Sequence, residues 1–279
     1  MAKFCKTATA FLLAAISLLP CACGSAEQTD FKDQHIYGVL LFAQPIEKSR
    51  EAYFAEGRKP PVYFEDLNSM VLALRAKKVD ALLDLPQPVS EYICNRNQDM
   101  QMVEAFDEAF QGNLACRMGI AKNNTRIYEL MNSAIQELNA NGTLAALQQQ
   151  YVNSYVEKGK EPPAVTIPHF DGAKTIRVAV TGDMPPIDLM TVDGTPAGFN
   201  VALMAEIAKL KKINIVPVPM NSGSRFISLN NEVVDVVFYT DKAIYNDAKK
   251  TELWEGIHVP DITTTDIYAK YPIRYITHK

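Results

Sequence analysis

The sequence predicts an α/β protein built from two lobes, in which short buried strands alternate with amphipathic helices. Residues 35–153 show this alternation first, and residues 175–239 show it again. The stretch between them, residues 154–174, is polar and contains prolines, which is typical of a linker. With 279 residues, 48% of them hydrophobic, the chain is long enough to form the cores of two such lobes.

The first 22 residues have the pattern of a secretory signal, because two lysines precede an apolar run (residues 10–19) that is too short to span a bilayer comfortably. The segment resembles a bacterial lipoprotein signal, in which a cysteine after a small residue carries the lipid. Cys23 follows an alanine and suits that role better than Cys21, which follows a proline. Residues 23–34 would then be a tether, and the protein an exported lipoprotein that faces the periplasm or the cell exterior. Simple cleavage and release is the alternative.

Two cysteines, Cys94 and Cys116, remain in the mature chain. A disulfide and two buried thiols fit this pair equally well, and the sequence leaves both open. No Cys-x-x-Cys motif or Cys/His cluster indicates a metal, and no cofactor is predicted. Loss of the two leader lysines changes the formal net charge from -4 to -6, and no basic stripe indicates nucleic acid as a partner.

The first lobe along the chain is predicted from apolar runs separated by helical patterns. The predicted strands are residues 36–42, 62–64, 80–85, 100–106 and 114–121, and the predicted helices are residues 46–55, 67–79, 89–94, 125–138 and 143–152. Pro45 suits the first turn of a helix, Asp66 is a typical N-cap, and Asn141-Gly142 is a typical helix end. Strands that alternate with helices indicate parallel βαβ units.

The second lobe along the chain follows the same pattern. The predicted strands are residues 175–181, 213–218 and 233–239, and the predicted helices are residues 201–210 and 225–229. The tail from Asp241 onward is predicted to be irregular except for residues 268–277.

Three motifs in this second lobe carry a resemblance to a known family. Residues 177–181 lead into Met184-Pro185-Pro186, residues 198–201 (Gly-Phe-Asn-Val) open a helix, and residues 234–237 form a Val-Asp strand. In this order the motifs resemble lobe 1 of the periplasmic solute-binding proteins of the amino-acid-binding class (family 3, type II). The resemblance implies a two-lobed clamshell, each lobe a βαβ-type sheet flanked by helices.

The remaining segments resemble later parts of the same family. Residues 74–81 are similar to a helix-to-strand motif of lobe 2, and residues 118–142 to the closing strand and C-terminal helix that return to lobe 1. Because these segments come first here, the resemblance implies a circular permutation. Residues 35–153 would form lobe 2 plus the returning helices, and residues 175–279 would form lobe 1. The alternatives are a fragment of a tandem array and a swapped dimer, which the linker also permits.

The resemblance places a ligand in the cleft where loops of the two lobes face each other, with hinge motion closing the cleft. It implies the following contacts: Asp183, Met184, Ile187, Tyr239 and Thr240 on lobe 1, and Gln44 and Asp84 on lobe 2. The arginine that the family usually carries shortly after the Val-Asp strand is absent, since Thr240 is followed by Asp-Lys-Ala. Arg225, Lys242 and Lys249 are candidate substitutes for holding a ligand anion.

Two further departures from the family pattern concern lobe 2. Asp84 comes one residue before the family's acidic position, and strand side chains alternate faces, so Asp84 needs a β-bulge to reach the cleft. Residues 43–45 (Ala-Gln-Pro) replace a Gly-Ser/Thr turn that offers backbone N–H groups to an anion. Recognition is therefore expected to differ from that of a standard α-amino acid.

The function implied by the resemblance is solute binding rather than catalysis. The protein would capture a small, polar, amino-acid-like metabolite and deliver it to an ABC transporter permease or report it to a membrane sensor. One alternative is a degenerate binding scaffold that docks a partner. A less favoured alternative is an exported dehydratase-type enzyme on the same scaffold, which would need a positioned acid and an anion-binding arginine in the cleft.

Overall fold

The structure, a computed structural model, describes residues 35–40, 57, 59–104, 113–156, 162–242 and 262–279. It confirms the predicted α/β class, since a large mixed sheet is flanked by helices. The predicted helix at residues 46–55 and the leader lie outside the described residues. Among the described helices, none combines the length and apolar character needed to cross a bilayer.

The first half of the described chain contains five strands and five helices with a π-helical turn. In chain order these are β1 (Tyr37–Leu40), β2 (Val62–Phe64), α1 (Leu67–Arg75), β3 (Ala81–Pro86), α2 (Gln87–Arg96), β4 (Met100–Val103), β5 (Asn113–Ala121), α3 (Thr125–Ala140), α4 (Thr143–Gln148), the π-helical turn (Gln149–Asn153) and α5 (Ser154–Val156).

The second half of the described chain contains eight strands and two helices with a short 3-10 turn. In chain order these are β6 (Thr175–Val180), β7 (Asp183–Met184), β8 (Asp188–Met190), β9 (Pro196–Ala197), α6 (Phe199–Lys211), β10 (Asn214–Pro219), the 3-10 turn (Ser222–Ser224), α7 (Arg225–Asn230), β11 (Val236–Lys242), β12 (Ile262–Thr264) and β13 (Ala269–His278). Strand β12 was not predicted from the sequence.

Local signals explain where several helices begin and end. The side chain of Asp66 accepts a hydrogen bond from the backbone N–H of Ser69 at 2.8 Å, which caps α1 as predicted. Helix α3 stops before Gly142, whose φ of +81° is accessible to glycine at little cost. The buried side chains of α3 face one side of the helix, and α3 packs against α6.

The sheet consists of two halves with the same internal order. In the lobe 2 sheet the order is β2-β1-β3-β13-β4, and in the lobe 1 sheet it is β10-β6-β11-β5-β12. In each half the first three strands are parallel and the inserted fourth strand is antiparallel to its neighbours. Among the three parallel strands of each half, the one that comes first along the chain lies between the other two.

The two halves of the chain exchange their inserted strands. Strand β5, from the first half of the chain, lies in the lobe 1 sheet, and most of β13, from the second half, lies in the lobe 2 sheet. Residues 269–272 of β13 still pair with β5, whereas residues 273–278 pair with β3 and β4. The sequence analysis assigned all of residues 175–279 to lobe 1, so the end of β13 differs from that assignment. The exchanged strands join both sheets and form the hinge region.

The linker is tied to lobe 1 in its described part, residues 162–174. The side chain of Asn214 accepts a hydrogen bond from the Phe170 N–H at 2.8 Å and donates to the Phe170 and Ala173 carbonyl oxygens at 3.0 and 3.3 Å. Further back, the Val165 N–H donates to the Pro196 carbonyl at 3.2 Å. These contacts hold the segment on the lobe that it enters.

Candidate ligand-binding site

Loops at the carboxyl ends of parallel strands from both lobes meet at one place. The side chain of Asp183, which follows β6, accepts a hydrogen bond at 2.7 Å from the backbone N–H of Leu67, the first residue of α1. Beside this contact, the Asn221 side chain donates to the Glu65 carboxylate at 3.1 Å, and the Ser222 N–H donates to the Glu65 carbonyl at 3.4 Å. Ligands of α/β sheets bind at this end of the strands.

Asp183 is a carboxylate with one satisfied and one unsatisfied oxygen. Oδ2 accepts the bond from Leu67, while Oδ1 is buried and has no hydrogen-bond partner among the described residues. Burial raises the pKa of this carboxyl, and the Leu67 N–H and the neighbouring Thr181 hydroxyl oppose the shift. A buried unsatisfied oxygen beside a cavity is a position where a ligand or water donor gains a full hydrogen bond.

Arg225, the first residue of α7, is a buried cation with an exposed fraction of 7%. Its Nη1 donates to the Phe238 carbonyl at 2.7 Å, and its Nε lies 3.4 Å from the Ser222 carbonyl. Burial lowers the pKa of the guanidinium, and the negative charges of Asp188 and Asp183 oppose that shift. A buried charge with so little access to water is stabilised by such neighbours.

Asp188, on β8, is a second buried carboxylate, and the sequence analysis missed it. Its two oxygens accept backbone hydrogen bonds from Thr181 and Gly182, both at 3.1 Å, which fixes the loop that presents Asp183. Burial raises its pKa to about 6, although both backbone bonds and Arg225 act in the opposite direction. A single acid inside the otherwise apolar run from Pro185 to Met190 is the sequence signal that could have identified it.

A cavity of about 60 Å³ lies beside these loops, lined by lobe 1 residues and by Pro86 of lobe 2. The described residues that line it are Pro86, Leu114, Cys116, Thr181, Met184, Ile187, Asp188, Asn200, Ser222, Arg225, Phe238 and Tyr268. This volume holds about two water molecules, whereas ligand pockets measure about 300–1,000 Å³. The cavity as it stands is therefore smaller than a usual ligand pocket.

Aromatic rings form the apolar wall of the cavity. The ring of Tyr268 lies 6.0 Å from those of both Phe199 and Phe238, and its hydroxyl donates to the Asn200 side chain at 3.2 Å. Thr181 adds a hydroxyl that is buried and has no hydrogen-bond partner among the described residues. The site thus combines two carboxylates, one guanidinium and a hydroxyl with an aromatic wall, a set that suits a small polar solute.

The same segment of lobe 1 carries a family match. Residues 176–244 match the bacterial extracellular solute-binding proteins, family 3. The predicted resemblance to amino-acid-type solute-binding proteins is confirmed by this match. Thr181, Asp183, Asp188 and Arg225 all lie within the matched segment.

Solved structures of solute-binding proteins were also found, at low similarity. The GluR0 ligand-binding core in complex with L-glutamate has 9% identity, covers 89% of this chain and 86% of its own, and has a TM-score of 0.37. A zinc-bound ligand-binding component of an ABC-type import system from Staphylococcus aureus has 9% identity, 88% and 66% coverage, and a TM-score of 0.42. A protein described as an L-cystine ABC transporter, from Listeria monocytogenes, has 12% identity, 88% and 82% coverage, and a TM-score of 0.37. No curated protein matches the sequence.

Several residues that the solute-binding resemblance implied come together in the structure. Met184, Ile187 and Arg225 line the cavity, and Asp183 forms the contact between the lobes. Tyr239 and Thr240 lie on β11, opposite Arg117 and Cys116 of β5. The residues of these predictions that fall outside the described part of the chain are Gln44, Cys23 and Lys249. Lys242 is the last residue of β11.

Asp84 lies on β3 at an irregularity of the kind that the sequence analysis required. Leu82 pairs with Ile276 and Leu85 pairs with Arg274, so two residues of β3 lie opposite the single residue Tyr275. Such a β-bulge shifts the alternation of faces along the strand. The contact of Asp84 with a ligand stays a prediction.

The remaining lining residues were missed because they carry no local signal. Tyr268 begins the regular stretch that was predicted in the tail but was not singled out as a site residue, and Ser222 lies in a polar loop that resembles any other turn. Their position at the cavity depends on strand pairing over long sequence separations, such as the contact of the Tyr268 N–H with the Cys116 carbonyl at 3.0 Å.

The possible disulfide between Cys94 and Cys116 is absent, because both are free thiols. Cys94 lies on α2 and Cys116 on β5 at the cavity. Burial raises the pKa of Cys94 to about 11 and that of Cys116 to about 12. Both groups are therefore neutral thiols at physiological pH, and Cys116 acts as a small apolar lining residue.

Proposed function

We propose that the protein is an extracytoplasmic solute-binding lipoprotein that captures a small, polar, amino-acid-like metabolite between its lobes. It would deliver the metabolite to an ABC importer or present it to a membrane sensor. The observation that carries this proposal is the match of residues 176–244 to the extracellular solute-binding family. The buried polar groups of the cleft lie in that same segment, so the residues that match the family also provide polar groups for a ligand.

The charges at the cleft favour a ligand that carries both an amine and an acidic group. Asp183 offers an acceptor oxygen that has no partner among the described residues, and Arg225 offers a buried cation. A zwitterion can pair with both groups and replace the water that each loses on closure. Because Arg225 also serves two backbone carbonyls, its geometry differs from that of an arginine devoted to a ligand carboxylate.

Entry of the ligand requires the lobes to rotate apart. The contacts that must break are the Leu67–Asp183 bond and the bonds of Asn221 and Ser222 to Glu65. The strands β5 and β13 connect the two sheets and would bend in such a motion. The metabolite then binds the open form, and closure surrounds it.

We also infer that the chain is a circular permutation of the usual solute-binding order. Tyr37 and Thr277 both pair with Ala81, on the two sides of β3. The beginning of β1 and the end of β13 are therefore two strand spacings apart, about 10 Å. A short turn would join them. A chain in the usual, unpermuted order, with β13 before β1, would contain such a turn. The exchange of β5 and β13 between the sheets supports the same conclusion.

Membrane attachment through Cys23 is part of the proposal and rests on the leader sequence. A Cys23→Ser variant should move from the membrane fraction to the soluble extracytoplasmic fraction and lose the mass of the lipid. The matched control, Cys21→Ser, should stay attached. Equal release of both variants would favour simple cleavage without lipidation.

A specific observation favours a second candidate function, a binding scaffold that docks a partner. The cavity at the candidate site is only about 60 Å³ and is lined by Phe238 and Tyr268 among others. A cleft filled by its own side chains is what a scaffold without a solute would have. Solute capture requires a small molecule that binds in the cleft, whereas the docking scaffold requires none.

A thermal-shift screen of the mature protein with amino acids, organic acids and short peptides distinguishes these candidates. Solute capture predicts that at least one compound raises Tm in a concentration-dependent manner. Thr181→Val should lower the affinity for that compound by about tenfold, because it removes one buried hydroxyl. Thr175→Val, at the exposed start of β6, should leave the affinity unchanged. If no compound shifts Tm, solute capture is wrong and the docking scaffold is favoured.

A further inference from the structure

A second cavity, of about 740 Å³, lies beside the hinge and apart from the cleft. Its walls are the first turns of α2, the helical segment from Gln148 to Val156, and Tyr271 and Pro272 of β13. None of the described residues that line it also lines the cleft cavity. We call this cavity the hinge pocket.

The hinge pocket is located where β13 passes from one lobe to the other. Pro272 pairs with Asn113 of the lobe 1 sheet, and the next residue, Ile273, pairs with Pro86 of the lobe 2 sheet. One wall, α2, packs on lobe 2 strands, while the opposite wall, the π-helical turn, contacts α6 of lobe 1. Both lobes therefore contribute to the pocket.

The wall contributed by lobe 1 contains the π-helical turn, Gln149–Asn153. The Ser154 hydroxyl donates to the Gln149 carbonyl at 2.8 Å, and the Asn153 side chain donates to Gln149 Oε1 at 2.9 Å. A π-helical turn is less favourable than continued α-helix and occurs frequently at functional sites. Here it places Gln149 and Asn153 together at the rim of the pocket.

Carboxamide groups dominate the chemistry of the hinge pocket. Gln148 Oε1 accepts a hydrogen bond from the Tyr271 hydroxyl at 2.6 Å, and Gln87 Nε2 donates to Glu91 at 2.5 Å. These bonds orient the amides and leave the Gln148 amide nitrogen and the Gln87 amide oxygen without a partner among the described residues. Together with Gln149 and Asn153, they present donors and acceptors in alternation.

The charge of the pocket restricts the class of ligand. Glu91 is the only charged side chain among the described lining residues, and neither Lys, Arg nor His is among them. Among the described lining residues, an anionic ligand would therefore meet a carboxylate and no counter-charge. A ligand with several neutral hydroxyl groups matches paired amide donors and acceptors, and the prolines and valines among the lining residues match its apolar faces.

We propose that the hinge pocket binds a neutral polyhydroxylated small molecule, a sugar or polyol. Its volume lies within the range of about 300–1,000 Å³ that is usual for small-molecule sites. Because both lobes line it, an occupant favours one interlobe angle and thereby changes the affinity of the cleft for its own ligand. The site itself stands on the pocket and does not depend on the identity of the solute in the cleft.

Titration of the mature protein with glucose, sucrose and sorbitol tests the proposal, with arginine as the cationic probe and citrate as the anionic probe. Binding is measured by calorimetry and located by hydrogen exchange. We expect at least one of the three neutral compounds to bind and to slow amide exchange across residues 148–156. Gln149→Leu should weaken this binding by about tenfold, and Gln150→Leu, an exposed neighbour outside the pocket, should leave it unchanged.

Three results would overturn the proposal: no binding of the neutral compounds, binding of arginine or citrate in their place, or an equal loss in both glutamine variants. Thr181→Val separates this site from the cleft. If the polyol binds equally well to Thr181→Val and no cleft ligand is found, the hinge pocket stands while the solute-capture proposal fails.

Discussion

Asp183 of lobe 1 accepts a hydrogen bond at 2.7 Å from the backbone N–H of Leu67, which opens α1 of lobe 2. The two residues are 116 positions apart in the sequence. The carboxylate also lies at the N-terminal end of a helix, where negative charge is favoured. A single side chain thus satisfies an N–H of one lobe from the other, beside the bonds of Asn221 and Ser222 to Glu65.

Removal of this carboxylate should favour the open form. In Asp183→Ala, the Leu67 N–H loses its partner, so we expect its hydrogen exchange to accelerate by about tenfold or more. Asp171→Ala, at an exposed position of the linker, is the control and should leave Leu67 unchanged. Unchanged exchange of Leu67 in Asp183→Ala would show that the contact does not hold the lobes together.

Asp188 should make the protein less stable as the pH rises. Its folded pKa of about 6 lies above the ordinary value of 3.8, so between these values the folded state binds more protons than the unfolded chain. The unfolding free energy should therefore fall from about pH 4 to about pH 6 and level off above, by an amount on the order of 3 kcal/mol from this group.

Asp188→Asn isolates this effect, because the amide does not titrate. The difference in unfolding free energy between wild type and Asp188→Asn, measured by urea denaturation across pH 4–8, should decrease as the pH rises. A constant difference for Asp188→Asn would contradict the burial of an ionisable carboxyl at this position.

The two cysteines of the folded part should resist thiol reagents in the native state. Burial raises both pKa values, to about 11 and about 12, so little thiolate exists at pH 8. Mass spectrometry after brief iodoacetamide treatment should show no modification of Cys116 until the protein is unfolded, with Cys94 reacting slowly. Recovery of a peptide pair linked by a disulfide under native conditions would contradict the free thiols.

If the chain is permuted, it should also fold when its two segments are joined in the usual order of the solute-binding proteins. A variant in which Lys279 is joined to His35 by a short Gly/Ser segment, with new termini placed in residues 157–161, should fold as a monomer with a similar Tm. The ends to be joined are about 10 Å apart, so four to six added residues, roughly, suffice. Strand swapping would be favoured if this variant failed to fold. It would also be favoured if the protein in its natural order were a dimer and the variant a monomer.

Local sequence signals predicted the elements but not their long-range arrangement. Asp66 and Gly142 fix helix ends through capping and positive φ, effects that depend on only a few neighbouring residues. The apolar runs of β3, β5 and β6 identify buried strands wherever they pair. Strand order was less accessible, because nothing in residues 269–278 indicates that β13 changes sheets at Pro272.

The candidate site was predicted in part for the same reason. Asp183, Met184 and Ile187 follow a recognisable strand and turn, so the resemblance placed them near the cleft. Asp188 and Tyr268 were missed, since a buried acid and a buried hydroxyl become apparent only when their backbone and side-chain partners are known. Arg225 was one of three basic candidates, and its burial singled it out.

The central claim is that two lobes in reversed chain order close around a solute. Single-molecule energy transfer between dyes at Lys78→Cys on lobe 2 and Asn231→Cys on lobe 1, in a Cys94→Ser background, measures the distance between the lobes directly. The account predicts an exchange between a short and a long distance, with the compound from the thermal-shift screen shifting the population to the short one. One distance that no compound in the screen alters would contradict it.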